Sequence, residues 1–217
     1  MLADKVLFLD GEAMVIDKPA GLPVDPPRRG GISLKNHLDS LTFGFQRWPM
    51  AVHRLDQDTS GCLLLSRNPK AHARLQQAFE ANRVEKRYLA VLEGVPDATE
   101  GVIDLPLAKV SSREEGWRMT GSPDGKAART AWRVLRTAGG RALVEFRPAT
   151  GRTHQIRVHA LEGLGIPVVG DAVYGRADKA GMLLHAAELV VPRDGRPAIH
   201  AVAPIPERFA AAGFGHE

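Results

Sequence analysis

Asp56 stands in HRLDQDTSG, a polar run that opens straight onto the apolar letters CLLLS. If residues 53–56 are extended, His53 and Leu55 face one way, and Arg54 and Asp56 the other. Leu55 then anchors in a core while Asp56 looks into a cleft. A loop ahead of a rigid buried strand is a good mounting for a catalytic carboxylate. The same letters also fit an ordinary Asx-turn at Asp56, with Thr59 or Ser60 capping backbone amides. These residues alone leave both readings open. An aspartic-protease dyad needs a second Asp-Thr-Gly-like copy, and the chain has none. Ser60 lacks the G-x-S-x-G frame and precedes a strand rather than a helix, which argues against a serine hydrolase.

A second concentration of chemistry is TGRTHQIRVHALEG, residues 150–163, where Arg152, His154, Arg157 and His159 fall close together. The two histidines are five apart, about 140° around a helix, so they are not an i,i+4 metal pair. No metal site is expected. Thr150-Gly151 suits a helix entry whose amides, with Arg152, would favour an anion. A solvated basic face is the plain alternative. Against it, Ile156, Val158, Ala160 and Leu161 leave little of a helix over 153–161 free. An arginine held among apolar neighbours needs a carboxylate, and Asp56 is one candidate for Arg157. Tyr88, in EKRYLAVLEG, shares a strand face with Ala90 and Leu92. It is either a core tyrosine with a satisfied hydroxyl or a platform for a base, with Arg87 near phosphate. GDAVYG, residues 170–175, reads as a turn without chemistry of its own.

These groups need a scaffold, and the pattern supplies one. Strands are expected at Val6–Leu9, Ala13–Lys18, 62–66, within KRYLAVLEG and over 102–107. Pro106 places the last near an edge or bulge. A short helix is expected over 34–41. An amphipathic one is expected over 69–82, from Asn68-Pro69 and the spacing of Ala71, Leu75, Ala78 and Phe79. Two hairpins turn at Gly139-Gly140 and at RDGRP. The polar stretch 110–126 reads as an exposed loop or loose hairpin. Eight to ten strands and two or three helices, with hairpins outnumbering βαβ units, predict an α+β fold with a mostly antiparallel sheet.

The totals narrow the class. The chain has 217 residues, 44% hydrophobic, enough for one core or two lobes sharing a sheet. No apolar run is long enough to cross a membrane, and no secretory signal is visible. The one cysteine, Cys62, cannot form an internal disulfide, which fits a reducing cytoplasm. Net charge is +4, and 21 of the 29 basic residues are arginine. Arginine suits phosphate forks and base stacking, although GC-rich coding gives the same bias.

Taken in order, VIDKPAGLPVDP, HRLDQDTSG, EKRYLAVLEG, ATGRTHQIRVHALEGLGIPVVGDAVYG and LLHAAEL resemble the RluA-type family of RNA pseudouridine synthases. The resemblance implies a mixed, mainly antiparallel sheet in two lobes with a central catalytic cleft. It implies one catalytic domain over 1–217, without the separate N-terminal RNA-binding domain of many relatives. Asp56 would be the nucleophile, Tyr88 the active-site tyrosine, and Arg157 the arginine paired with Asp56. Arg54, Thr59, Arg87, Arg152, His154 and Leu184 would meet the RNA. Arg54 would fill the gap left by a flipped uridine. No cofactor is implied. The partner would be a stem-loop of rRNA or tRNA, read by 110–126 and by Arg28-Arg29, and the protein a cytoplasmic monomer. Two other classes remain open to the sequence: a non-catalytic RNA-binding or chaperone protein of the same fold, and a small-molecule hydrolase using Asp56.

Overall fold

The computed structural model describes every residue except Arg28, 113–115 and Glu217, with Ser112 described by its backbone alone. In chain order its strands are β1 (Val6–Leu9), β2 (Ala13–Lys18), β3 (Met50–Ala51), β4 (Ser60–Ser66), β5 (Glu85–Leu92) and β6 (Glu100–Asp104). They continue with β7 (Leu107–Ser112), β8 (Gly116–Gly121), β9 (Arg129–Ala138), β10 (Arg141–Pro148), β11 (Leu184–Arg193) and β12 (Arg196–Val202). The α-helices are α1 (Pro69–Glu80), α2 (Gln155–Val158) and α3 (Glu207–Ala211). The chain forms two compact units. The first is Met1–Lys86 with Ala186–Pro204, and the second Arg87–His185 with Ile205–Glu217.

In the first unit the strand order is β1-β2-β4-β11, with β3 on β4 and β12 on β11. β4 is buried along its whole length, which is why its letters run apolar rather than alternating. Helix α1 begins as its sequence requires. The Asn68 side chain accepts from the Ala71 amide at 2.9 Å, and Pro69 takes the first helical position. Its Ala71, Leu75 and Ala78 face join Val15, Leu64, Leu189 and Ile199 in one core.

In the second unit the order is β5-β10-β9-β6, all antiparallel, with β7-β8 a separate hairpin. Gly139 and Gly140 have φ of 57° and 75°, the left-handed pair that a tight hairpin needs. The core here gathers Ala90, Leu92, Val144, Phe146, Ile156 and Leu184.

Three expectations change. The single strand over 102–107 is broken after Asp104, so that β6 pairs with β9 and β7 with β8. Pro106, which has no amide to give a ladder, sits at the break. Of the two readings of 110–126, loop or loose hairpin, the hairpin stands, since β7 pairs with β8, although 113–115 lie outside the described residues. The helix expected over 153–161 starts at Gln155, and at His159–Gly163 it widens into a π turn. The two short turns Leu34–His37 and Asp39–Leu41 are 3-10 turns rather than one helix.

Candidate active site

Asp56 lies on the loop between β3 and β4, and nearly every neighbour of it is tied down. Val52 donates its amide to the Leu64 carbonyl at 3.0 Å. His53 Nε2 accepts from the Leu64 amide at 3.0 Å, and its ring stacks on Phe79 of α1 at 4.6 Å. Enclosure pushes the His53 pKa down to about 3, helped by the charge of Lys86, so the ring stays neutral and can accept. Leu55 is buried. The Thr59 amide donates to the Asp56 carbonyl at 3.1 Å, closing a turn. On the far side, buried Lys18 donates Nζ to the carbonyls of Pro19, Leu22 and Gln57 at 2.9, 2.8 and 3.0 Å. Asp56 itself is half-buried, and Arg54 is exposed. The alternation expected over 53–56 therefore holds: Leu55 goes in, and Arg54 faces out. Arg54 Nη1 lies 3.1 Å from Asp25 Oδ2, both largely in solvent.

Gly61, at the start of β4, explains why the loop must end where it does. Its φ is +106°, and a Cβ there would lie 2.2 Å from the Ala186 carbonyl oxygen. Only glycine permits both the conformation and that approach. Thr59 is buried, so it serves the inside of this loop.

In the second unit, Arg157 projects from α2. Its Nε and Nη2 each meet an oxygen of Asp171 at 2.7 Å, a two-pronged fork that is almost wholly buried. Asp171 also accepts from the amides of Val173 and Tyr174, at 2.9 and 3.1 Å. Burial by itself would raise the Asp171 pKa. The guanidinium and the two amides outweigh that and hold it below the ordinary carboxylate value. The sequence reading missed Asp171 by taking GDAVYG for a turn without chemistry. The need of Arg157 for a carboxylate was legible, and the missed signal was that GDAVYG offers Asp171 as a further candidate beside Asp56. The guanidinium also lies 5.0 Å from the Tyr174 ring.

The entry to α2 is built differently from the expected anion cradle. The Arg152 amide donates to Gln155 Oε1 at 2.9 Å, and the Thr150 hydroxyl does so at 2.8 Å. Gln155 Nε2 in turn donates to the Arg129 carbonyl and the Thr130 hydroxyl. One amide side chain thus clips the turn to β9 and takes up the Arg152 amide. Arg152 Nε reaches the Ala127 carbonyl at 3.0 Å. His154 takes a left-handed conformation, φ 54°. Its Nδ1 meets the Tyr174 hydroxyl at 2.9 Å, and its ring stacks on Trp117 at 5.2 Å.

Tyr88 is half-buried on β5, opposite Phe146 of β10, and packs against the core that holds Ala90, Leu92 and buried Leu184. Arg87 points to the other face. There its Nε meets Glu145, whose carboxylate is almost fully buried and also takes Arg147 at 3.0 Å. Arg87 is therefore engaged in a charge cluster, where the sequence reading had it near phosphate. No group of three or more metal-ligating side chains occurs among the described residues.

The sequence model of the RNA pseudouridylate synthase family matches residues 12–162. The chain belongs to the RluA-type family of RNA pseudouridine synthases. An uncharacterised RNA pseudouridine synthase of Zymomonas mobilis is 56% identical over 217 residues, covering 99% of both chains. The dual-specificity RNA pseudouridine synthase RluA of Escherichia coli is 37% identical over 86% of this chain and 85% of its own. Among solved structures, human RNA pseudouridylate synthase domain containing 4 superposes with a TM-score of 0.80 at 27% identity, over 96% of this chain and 91% of that one. The protein is thus an RNA pseudouridine synthase, an isomerase that acts on RNA, and its α+β fold is that of the family.

Proposed function

We propose that this synthase isomerises a uridine of an RNA stem-loop with Asp56 as nucleophile, and that Tyr88 and Arg157 serve the same nucleotide. The observation that carries the reading is the Asp56 loop. A half-buried carboxylate stands there on a backbone pinned by Lys18, His53, Leu55 and Thr59. An ordinary surface turn does not require a buried lysine and a neutral enclosed histidine to hold it. Catalytic groups do, because a misplacement of about 1 Å is costly.

In the reaction the N1–C1′ bond of uridine breaks, the uracil turns, a C5–C1′ bond forms, and the proton lost from C5 is balanced by one taken up at N1. The Asp56 carboxylate attacks C1′ of the sugar and is displaced when C5 bonds to C1′, or attacks C6 of the base and is expelled from C6 after that bond is made, or takes a proton from the sugar. Tyr88, packed against an apolar core, stacks on the base and helps the proton leave C5. A stacked target must first be flipped out, at about a few kcal/mol. Exposed Arg54, two residues from Asp56, fills the gap.

The RNA is a local hairpin read by shape, in tRNA or rRNA of the cytoplasm, and the protein acts as a monomer without a cofactor. A relative named for the large ribosomal subunit supports the rRNA reading, and one named for dual specificity supports more than one RNA target. Arg28, expected to help with Arg29, lies outside the described residues. The deciding experiment is Asp56→Asn, assayed by tritium release from RNA carrying 5-tritiated uridine. Release should fall by at least about 10³-fold while RNA binding persists; release at the wild-type rate removes Asp56 as nucleophile.

A further inference from the structure

Between α1 and the turn that joins β11 to β12, the first unit carries a cleft of about 280 Å³. Arg74, Arg83, Arg193 and Arg196 line it, with Glu12 and Asp194. Four guanidiniums face two carboxylates. Arg193 is nearly buried and is held by Asp10 at 2.6 Å, with Glu12 at 3.7 Å. Arg74 meets Glu12 at 2.5 Å, Arg196 lies 3.8 Å from it, and Arg83 lies 4.0 Å from Asp194. Each guanidinium has five N–H donors. Arg74, Arg83 and Arg196 are each about half exposed, so most of their donors face solvent.

We propose that this cleft is a second RNA-backbone site, taking phosphodiester groups of the stem that carries the target loop. Its place on the element supports this. Phe79, which stacks on His53 three residues before Asp56, stands on α1 five residues after Arg74 and four before Arg83. Five helical residues rise about 7.5 Å. The helix that backs the Asp56 loop through Phe79 therefore also carries Arg74 of the cleft. Arginine forks match phosphate oxygens in pairs. Asp194 is fully in solvent at the turn between β11 and β12. It is the carboxylate that a bound phosphate would compete with.

The test uses two RNAs with the same loop, one with a short stem and one with its stem longer by about a helical turn. In the double variant Arg74→Gln/Arg83→Gln, the long-to-short ratio of kcat/KM should fall by about ten-fold. The salt slope for binding the long RNA should drop by about two. Asp194→Asn keeps an Asn-Gly turn and should shift the ratio the other way. An unchanged ratio and slope in both variants overturns the proposal, as does an equal loss on both RNAs. Inorganic phosphate, compared with chloride at matched ionic strength, should weaken the long RNA more than the short. Equal inhibition of both would make this a free-anion site and overturn the backbone role. The proposal rests on RNA as substrate but not on Asp56 as nucleophile, because the salt slope is read from binding alone.

Discussion

Asp171 shows how much one side chain can carry. It takes the buried Arg157 guanidinium on both oxygens beside the Tyr174 ring, and it caps two amides of its own turn. Breaking a buried pair by removing one charge costs about 3–5 kcal/mol. Asp171→Asn should lower stability by about 3 kcal/mol at pH 7, measured by urea unfolding. The folded pKa of Asp171 lies below its unfolded value, so the stability it gives is complete above about pH 4. It is lost as pH falls through the folded pKa. The gap between wild type and variant should therefore be flat near neutrality and close in acid; a gap that widens in acid contradicts the assignment. Arg54 makes a second prediction at this scale. Its bridge to Asp25 is exposed and contributes little to stability. Arg54→Ala should leave the unfolding midpoint within about 1 °C and weaken turnover on folded RNA more than on an unstacked loop. Equal losses on both RNAs would remove its gap-filling role.

The Asp56 loop is held by an element-level device, the stack of His53 on Phe79 and its bond to the Leu64 amide. A proton on Nε2 would turn that acceptor into a donor facing another donor. Because the folded pKa is about 3 and the unfolded one is 6.5, the unfolded chain binds more protons between those values. Stability should then fall as pH drops below about 6.5, by up to about 1.4 kcal/mol per pH unit from this group. Comparing unfolding of wild type and His53→Gln at pH 7, 6 and 5 isolates the effect. Equal pH slopes in the two proteins would show that the ring is not enclosed. At this scale much was readable beforehand. Asn68-Pro69 with the Ala71, Leu75, Ala78 spacing marked α1, and Gly139-Gly140 marked the β9–β10 turn, because both signals are local. The α2 entry was not readable. Its left-handed His154 and late start depend on Gln155 reaching Thr130, a residue 25 positions away.

For the molecule as a whole, the family assignment predicts a change in the cell's RNA. A strain lacking the protein should lose pseudouridine at a small set of stem-loop positions. The wild-type gene should restore them and the Asp56→Asn gene should not. Restoration by Asp56→Asn would mean that another group performs the chemistry. The ordered letters of HRLDQDTSG, EKRYLAVLEG and TGRTHQIRVH were enough to name the family, and the 56% identical relative agrees. The alternation at 53–56 was likewise enough to send Leu55 inward and Arg54 outward. By itself, then, the sequence determined which chemical groups are present, which strand face each occupies and where the chain turns, since these follow from local spacing and backbone sterics. Only the tertiary structure decided that Asp171 takes the Arg157 fork, that Glu145 engages Arg87, that Lys18 pins the loop beyond Asp56, and that four arginines meet across α1 and the β11–β12 hairpin. Each of those depends on charges far apart in the chain being desolvated together, and spacing along a chain does not record which distant charges packing will bring face to face.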